Sequence, residues 1–372
     1  MNILPSLIRP PILSAFRHTE HSVVLRKIYT AQQLSVDKYL KDRQHIRMSL
    51  QDDSIKLKKA KLKNIIKMPA IPSSQIVNQL TEFMHLIDDT DDDFRLLEQA
   101  LNKLKSAQTE NLRKYAIGRI VMKTLYHFKK DQLAIKFYND ANFRDKFFGS
   151  KQTHLIFFDL LYKHSEYTEL LKHFEELRKQ LDSKQQIITR SIYVLIFAVC
   201  YQQNTEESFK YAQSLNEQYD KKITQAHCIF LSALALNQNA PHLTNQFLST
   251  LWPSAHEAII SLRLLAFLKM HKFVDVLQFL RSILLIYDNN KTPKTDVISN
   301  EAIEMAGQVF DESCQDERLR NDFQQMRDNL QTHGYCVEKT INKMIFEPFR
   351  EAKMTTLNYE RLSIQSEFNQ FF

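Results

Sequence analysis

The stretch Ser191–Gln218, SIYVLIFAVCYQQNTEESFKYAQSLNEQ, decides how the rest of the chain is read. Ile192, Leu195, Ile196, Val199 and Cys200 recur at i, i+3, i+4, i+7 and i+8, the apolar stripe of a helix that buries one face. Asn204 then offers an N-cap side chain, with Glu207 three residues on as its reciprocal partner in a capping box. Beyond that break, Phe209, Ala212, Leu215 and Tyr219 make a second helical stripe. Two helices joined by so short a polar turn pack as an antiparallel hairpin. One hairpin holds too little core to stand alone, so it must recur.

Working outward, it does. The closing position of the first helix, Tyr201, has equivalents at Ile87, Tyr126, Tyr162, Leu236 and Leu268, spaced 32–39 residues apart. A polar break and a second apolar stripe follow the slots, as in HFKKDQLAIKFY (127–138), KHSEYTELLKHF (163–174), NQNAPHLTNQF (237–247) and KMHKFVDVLQFL (269–280). A period near 35 built of helix pairs predicts an all-α solenoid, in which neighbours bury the faces that no single repeat can bury. Tetratricopeptide and pentatricopeptide arrays share that period. The uneven spacing leaves open an irregular all-helical domain with similar hairpins.

YVLIFAVCYQQN (Tyr193–Asn204) resembles the first helix of a pentatricopeptide repeat, and HLIFFDLLYKHS (His154–Ser165) repeats it with an Asp in the middle. The run from Tyr193 through FAVCY and EESFK to SALALNQN (Ser232–Asn239) is similar to the central region of the animal mitochondrial pentatricopeptide repeat-containing protein 2 family. VDKYLKDRQ…IKLKKAKL (Val36–Leu62) is more loosely like that family's entry segment. The resemblance is strongest over about 150–250, collinear over about 35–290, and fades in the C-terminal eighty residues. It implies a mitochondrial matrix protein acting in RNA maturation and, through that, in respiratory-chain expression. It also implies single-stranded mitochondrial RNA as the partner, with RNA-processing proteins beside it.

Composition narrows the possibilities independently. At 372 residues and 44% hydrophobic content the chain can bury a sizeable core. Its four glycines, Gly118, Gly149, Gly307 and Gly334, each stand alone, which excludes a Walker A loop, a dinucleotide fingerprint and a nucleophile elbow. Cys200, Cys228, Cys314 and Cys336 form no CxxC and read as free thiols rather than disulfides or zinc ligands. The 13 histidines show no HExxH, and carboxylate pairs such as Glu175–Glu176 and Glu206–Glu207 diverge by about 100° on a helix, as solvated charge does. No catalytic constellation, cofactor or small-molecule substrate is indicated, and no apolar run is long enough to span a membrane.

Taken in order, residues 1–29 read as a mitochondrial targeting segment. No acid precedes Glu20, the basic residues are Arg9, Arg17, Arg26 and Lys27, and RKIYT suits processing near Tyr29; a disordered N-terminus is the alternative. Residues 30–72 form a basic helical entry segment. The first 70 residues hold 14 Lys/Arg against 5 Asp/Glu, and the remainder is close to neutral. Lys56, Lys58, Lys59, Lys61, Lys63 and Lys67 interleave with Leu57, Leu62, Ile65 and Ile66, so the apolar set docks on the array and the lysines face outward. They read as a phosphate-binding patch or as the solvated face of a linker helix.

Residues 73–292 hold the repeat array. The acidic run Asp88, Asp89, Asp91, Asp92 and Asp93 lacks the glycine of a calcium loop and reads as the N-terminal turn of the next helix. Trp252–Pro253 breaks the pattern, and residues 293–372 form a charged helical cap with a last short helix around Val337–Phe346. In pentatricopeptide proteins the residue after the aromatic slot of the first helix faces RNA. Here those positions are Arg119, Leu155, Val194, Ile229 and Ser261, a set unsuited to a one-repeat-one-base code. Arg119, Lys123, Lys163 and Arg190 are the candidate phosphate contacts near first helices. Two functions stay open: an RNA-binding factor holding backbone with little base readout, or a tetratricopeptide-like scaffold gripping a peptide on its concave face.

Overall fold

The fold is taken from a computed structural model, which describes residues 28–69, 72–106, 117–218, 224–249, 251, 256–288 and 297–347. Most of the targeting segment, Tyr219 and Trp252–Pro253 lie outside the described residues. Antiparallel hairpins follow one another along the chain: α3 (Ser73–Leu86) with α4 (Asp91–Ser106), α5 (Ile117–His127) with α6 (Asp131–Asn139) and α7 (Ala141–Phe147), and α8 (Lys151–Lys163) with α9 (Tyr167–Asp182). Then come α10 (Arg190–Gln203) with α11 (Glu206–Gln218), α12 (Gln225–Asn237) with α13 (Pro241–Ser249), and α14 (Glu257–Lys269) with α15 (Phe273–Asp288). A further pair, α16 (Asn300–Ser313) and α17 (Glu317–Thr332), continues the stack. The first helices α3, α5, α8, α10, α12, α14 and α16 pack each on the next, the one-dimensional stacking of an α-solenoid.

The repeat is written most plainly in its turns. Lys129, Ser165, Asn204, Asn239 and His271 all adopt left-handed backbone conformations, with φ between 49° and 60°. Each lies three residues after a closing slot, so the recurrence seen in sequence marks one structural device. At four of them the next backbone N–H reaches back five residues: Lys130 to Leu125, Glu166 to Leu161, Ala240 to Ala235 and Lys272 to Phe267. That bond pairs carbonyls that a helix end would otherwise orphan. Turns also lock to one another. Gln238 Nε2 donates to the carbonyl and side-chain oxygens of Asn204 at 3.0 and 2.9 Å, and Lys269 Nζ donates to Leu236 O at 2.8 Å.

Two local expectations are corrected. Asn204 does not cap α11; it terminates α10 in its left-handed conformation. The capping pair is one residue on, where Thr205 N donates to Ser208 Oγ at 3.0 Å and Ser208 N donates to Thr205 Oγ1 at 3.1 Å. Ser at the third helical position plays the part assigned to Glu207. The second correction concerns burial. The central first helices do not bury a single stripe: α12 is buried at every position from Ala226 to Leu236, and α8 from Thr153 to Tyr162. A helix that is apolar all round is covered all round.

The covering comes from both ends of the chain. Helix α1 (Val36–Met48) packs across α3 and α5, where the Tyr39 hydroxyl donates to Met84 O at 2.8 Å and Thr124 Oγ1 bonds Tyr39 Oη at 2.9 Å. The arm before it extends the contact, with Gln152 Nε2 donating to Leu34 O at 2.9 Å and the Tyr29 hydroxyl to Ser191 O at 2.7 Å. At the other end, β1 (Ile298–Ser299) pairs in parallel with β2 (Cys336–Val337), and α18 (Ile341–Ile345) lies on α12 and α14. Phe346 sits between Tyr201 and Phe230, ring centroids 5.7 and 5.4 Å away. Gly334, at φ 69°, provides the turn into this segment.

Candidate nucleic-acid interface

Helix α2 (Asp52–Lys67) carries the basic run. Ile55, Leu62 and Ile65 are its buried residues and pack it on α3 and α4, while Leu57, expected to dock, is 71% exposed. The docking geometry divides the lysines. Lys58 pairs with Glu82 of α3. Lys59 reaches Asp88 Oδ2 at 2.7 Å and Asp93 Oδ2 at 2.5 Å, and Arg47 of α1 meets Asp88 Oδ1 at 2.9 Å. Burial would raise the Asp88 carboxyl, but the two cations outweigh it and hold the group below the usual carboxylate range. The acidic run therefore has two duties. Asp91, Asp92 and Asp93 occupy the first turn of α4, and Asp88 and Asp93 neutralise the entry segment.

Lys58 and Lys59 are thus committed within the chain. Among the described residues Lys56 has only the exposed Asp53 at 3.4 Å, a contact of little energetic value. Lys61, Lys63 and Lys67 are exposed and have no ion pair among the described residues. The array candidates divide in the same way. Lys163 is tied down, 3.0 Å from buried Asp159 and 4.4 Å above the Tyr126 ring, whose hydroxyl donates to Asp159 at 2.6 Å. Burial nonetheless dominates at Asp159 and holds its carboxyl well above the usual range. Lys123 is half-buried, its pKa lowered by desolvation and by Arg119 and Lys38 nearby, with Asp37 and Asp42 opposing. Arg119 and Arg190 are exposed.

The base-facing positions of the pentatricopeptide pattern are closed off. Leu155, Val194, Ile229 and Ser261 are all buried, and the Ser261 hydroxyl accepts from Ser299 N at 3.0 Å. Only Arg119 of the five reaches solvent. This agrees with the sequence expectation that no one-repeat-one-base reading operates here, and burial extends the reason to side chains that hydrogen-bond.

Sequence reasoning missed a second basic locality. Arg119, Arg144 and Lys184 line a cavity of about 440 Å³ between α5, α7, α8 and α9, together with Ser150, His154, Gln186 and the apolar Phe147, Leu177 and Leu181. Its walls approach closely because Gly118 of α5 lies against Phe147 O, where a Cβ would sit 1.8 Å from the carbonyl. No motif announces it; its three cations come from three separate parts of the chain. Among the described residues no three His, Cys, Asp or Glu side chains gather to hold a metal ion. Nor is any described helix long and apolar enough to cross a membrane. Cys200, Cys228 and Cys314 are buried free thiols, with burial pushing Cys200 and Cys228 up to about 12.

No family model matches the chain, and no solved structure matches it. Curated relatives do. The chain is 26% identical over 211 residues to the Homo sapiens protein named pentatricopeptide repeat-containing protein 2, mitochondrial, covering 55% of this chain and 52% of the relative. The protein of the same name from Pongo abelii is 30% identical over 168 residues, 43% of this chain and 42% of the relative. That from Xenopus laevis is 24% identical over 251 residues, 66% and 63% respectively. The chain thus spans about half the length of the curated relatives it matches, the fullest of these matches reaching 63%.

Proposed function

We propose that this chain is a mitochondrial RNA-binding repeat protein that holds single-stranded transcripts by their backbone and supports their maturation or stability, and through it respiratory-chain expression. It is imported by residues 1–29, works in the matrix and presents RNA to processing proteins, without catalysing a reaction itself. The similarity to mitochondrial pentatricopeptide proteins supports the setting. The observation that carries the binding mode is the division of the lysines: Lys61, Lys63 and Lys67 stand uncommitted on the solvent face of α2 while their neighbours are neutralised. Cations held close together without carboxylate partners favour a polyanion. The scaffold alternative needs an open face on the first helices, whereas α1 covers α3 and α5 and α18 covers α12 and α14.

The test compares wild type with the triple variant Lys61→Gln, Lys63→Gln, Lys67→Gln, titrated with unrelated single-stranded RNAs at several salt concentrations. Each lost phosphate contact flattens the log–log salt dependence by about 0.7 for single strands, so the slope should fall by about 2. The melt should hardly move, since these side chains are exposed and form no ion pair among the described residues. Equal slopes and affinities would remove α2 from the interface.

A further inference from the structure

The cavity between α5, α7, α8 and α9 has the chemistry of a nucleotide seat. Its floor is apolar: Phe147 and Leu177 are 7% and 3% exposed. Its rim is cationic. Arg119 and Lys184 are exposed and have no carboxylate partner among the described residues, whereas Arg144 is held by Glu176 at 3.1 Å. The lining carboxylate, Asp145, accepts from Gln180 Nε2 at 3.1 Å. Arg119 also lies within electrostatic reach of Lys123, which feels Lys38, Asp37 and Asp42 as well.

A buried polar group supplies the second, independent observation. His154 is 93% buried by its 7% exposure, yet lines the cavity. Its Nδ1 lies 2.6 Å from the hydroxyl of fully buried Tyr138, which stacks on Phe157 at 4.0 Å and so cannot swing away. Among the described residues the Tyr138 hydroxyl has no other hydrogen-bond partner, so we assign its O–H as donor to Nδ1, which leaves the proton on His154 Nε2. That N–H has no protein acceptor among the described residues. On a residue that lines the polar-rimmed cavity, that donor is available to an acceptor that enters it.

We infer that this cavity seats one nucleoside monophosphate unit, its base against Phe147 and Leu177 and its phosphate between Arg119 and Lys184. The cavity's size lies within the usual range for small-molecule sites. Flipping one base out of a single strand onto an apolar floor is a recurrent mode of RNA recognition. The unit comes either from an RNA chain, in which case the inference rests on the RNA-binding reading above, or from a free nucleotide.

The test uses the full chain with ring-¹⁵N-labelled histidine. A uridylate 12-mer and, separately, uridine and adenosine monophosphate are titrated while the His154 Nε2 resonance and oligonucleotide anisotropy are followed. Arg119→Gln with Lys184→Gln should weaken oligonucleotide binding about tenfold or more. It should also lower the salt slope by about 1.4 while leaving the melt in place, because both side chains are exposed. A His154 shift with the 12-mer alone marks a nucleotide within a chain, and one with the monophosphates too marks the free moiety as sufficient. Wild-type RNA binding with no His154 shift and no effect of the double variant overturns the cavity assignment and leaves the α2 reading standing. Monophosphates shifting His154 without any RNA binding would sink the RNA reading and keep the seat. No response to either ligand at millimolar concentration overturns the seat.

Discussion

Two histidines should make the solenoid acid-sensitive between pH 8 and pH 5. Burial holds His154 and His227 down to about 4, with the Arg144 charge adding to the depression at His154. An unfolded histidine titrates near 6.5. The native state favours the neutral ring, so each contributes stability that is complete above 6.5 and is lost as pH falls from there toward 4. At pH 5 the unfolded ring is almost fully protonated and the folded one about a tenth, a difference of about 2 kcal/mol per histidine. Two such losses are a large fraction of a typical domain's stability.

His227→Gln isolates one of them. Thr224 N donates to His227 Nδ1 at 3.2 Å in a capping box, a place where Gln serves equally well. The assay is urea unfolding followed by circular dichroism at pH 8, 7, 6 and 5. The variant is expected to be less stable at pH 8, from lost packing against Phe197 and Tyr193, yet to lose about 2 kcal/mol less than wild type on going to pH 5. Comparing variant with parent matters because Asp159 has the opposite sign. Its carboxyl is held high by burial, so its contribution declines as pH rises. Asp88, held low, loses its contribution only as pH falls below the usual carboxylate range, outside this window. Parallel pH curves for variant and wild type would refute the argument that His227 is buried neutral.

Three further outcomes follow from the packing. Lys129→Gly should raise stability by about 1 kcal/mol, since a left-handed lysine carries a Cβ penalty that glycine lacks; a lower urea midpoint would contradict the turn geometry. Gly118→Ala should cost about 3 kcal/mol or more, because the clash is with the backbone carbonyl of Phe147 and no flexible side chain can yield; an unchanged melt would disprove the close approach. Lys59→Gln should cost about 2–3 kcal/mol by leaving buried Asp93 without its cation, while Lys63→Gln stays within about 0.5 kcal/mol; equal melts would show that α2 is not docked through this pair.

How much of this was legible in the sequence depends on the range of the interaction. The period was legible because each closing slot and its turn lie within one hairpin, and the turn chemistry is local. That the turn residue is left-handed was hidden at Lys129, Ser165 and His271, since none is a glycine and only the Schellman bonds require the conformation. The cap at Thr205 was misplaced by one residue because Asn204 suits either helix end. Lysine commitment was illegible: Lys58 meets Glu82 across 24 residues and Lys59 meets Asp93 across 34, distances at which periodicity carries no register. The cavity depends on Arg119, Arg144, His154 and Lys184 converging from separate elements, and no spacing encodes that.

The covered first-helix face joins the fold to the function. A solenoid reads bases one by one only if each repeat presents a solvated side chain at the same slot. Here the slots run Leu155, Val194, Ile229 and Ser261, all buried, and the last spends its hydroxyl on Ser299. Opening that face would mean removing Phe346 from between Tyr201 and Phe230 and Tyr39 from Met84 and Thr124. Taking one such aromatic out of its site costs on the order of 3–5 kcal/mol judged by truncation to alanine, and contacts to four phosphates in physiological salt do not repay several of these. On the proposed reading, nucleic acid meets this protein where charge is free without rearrangement: on the outer face of α2 and at the Arg119 edge. Contacts of that kind discriminate by phosphate geometry and by which base can be flipped, so sequence choice must come from the cavity or from a partner.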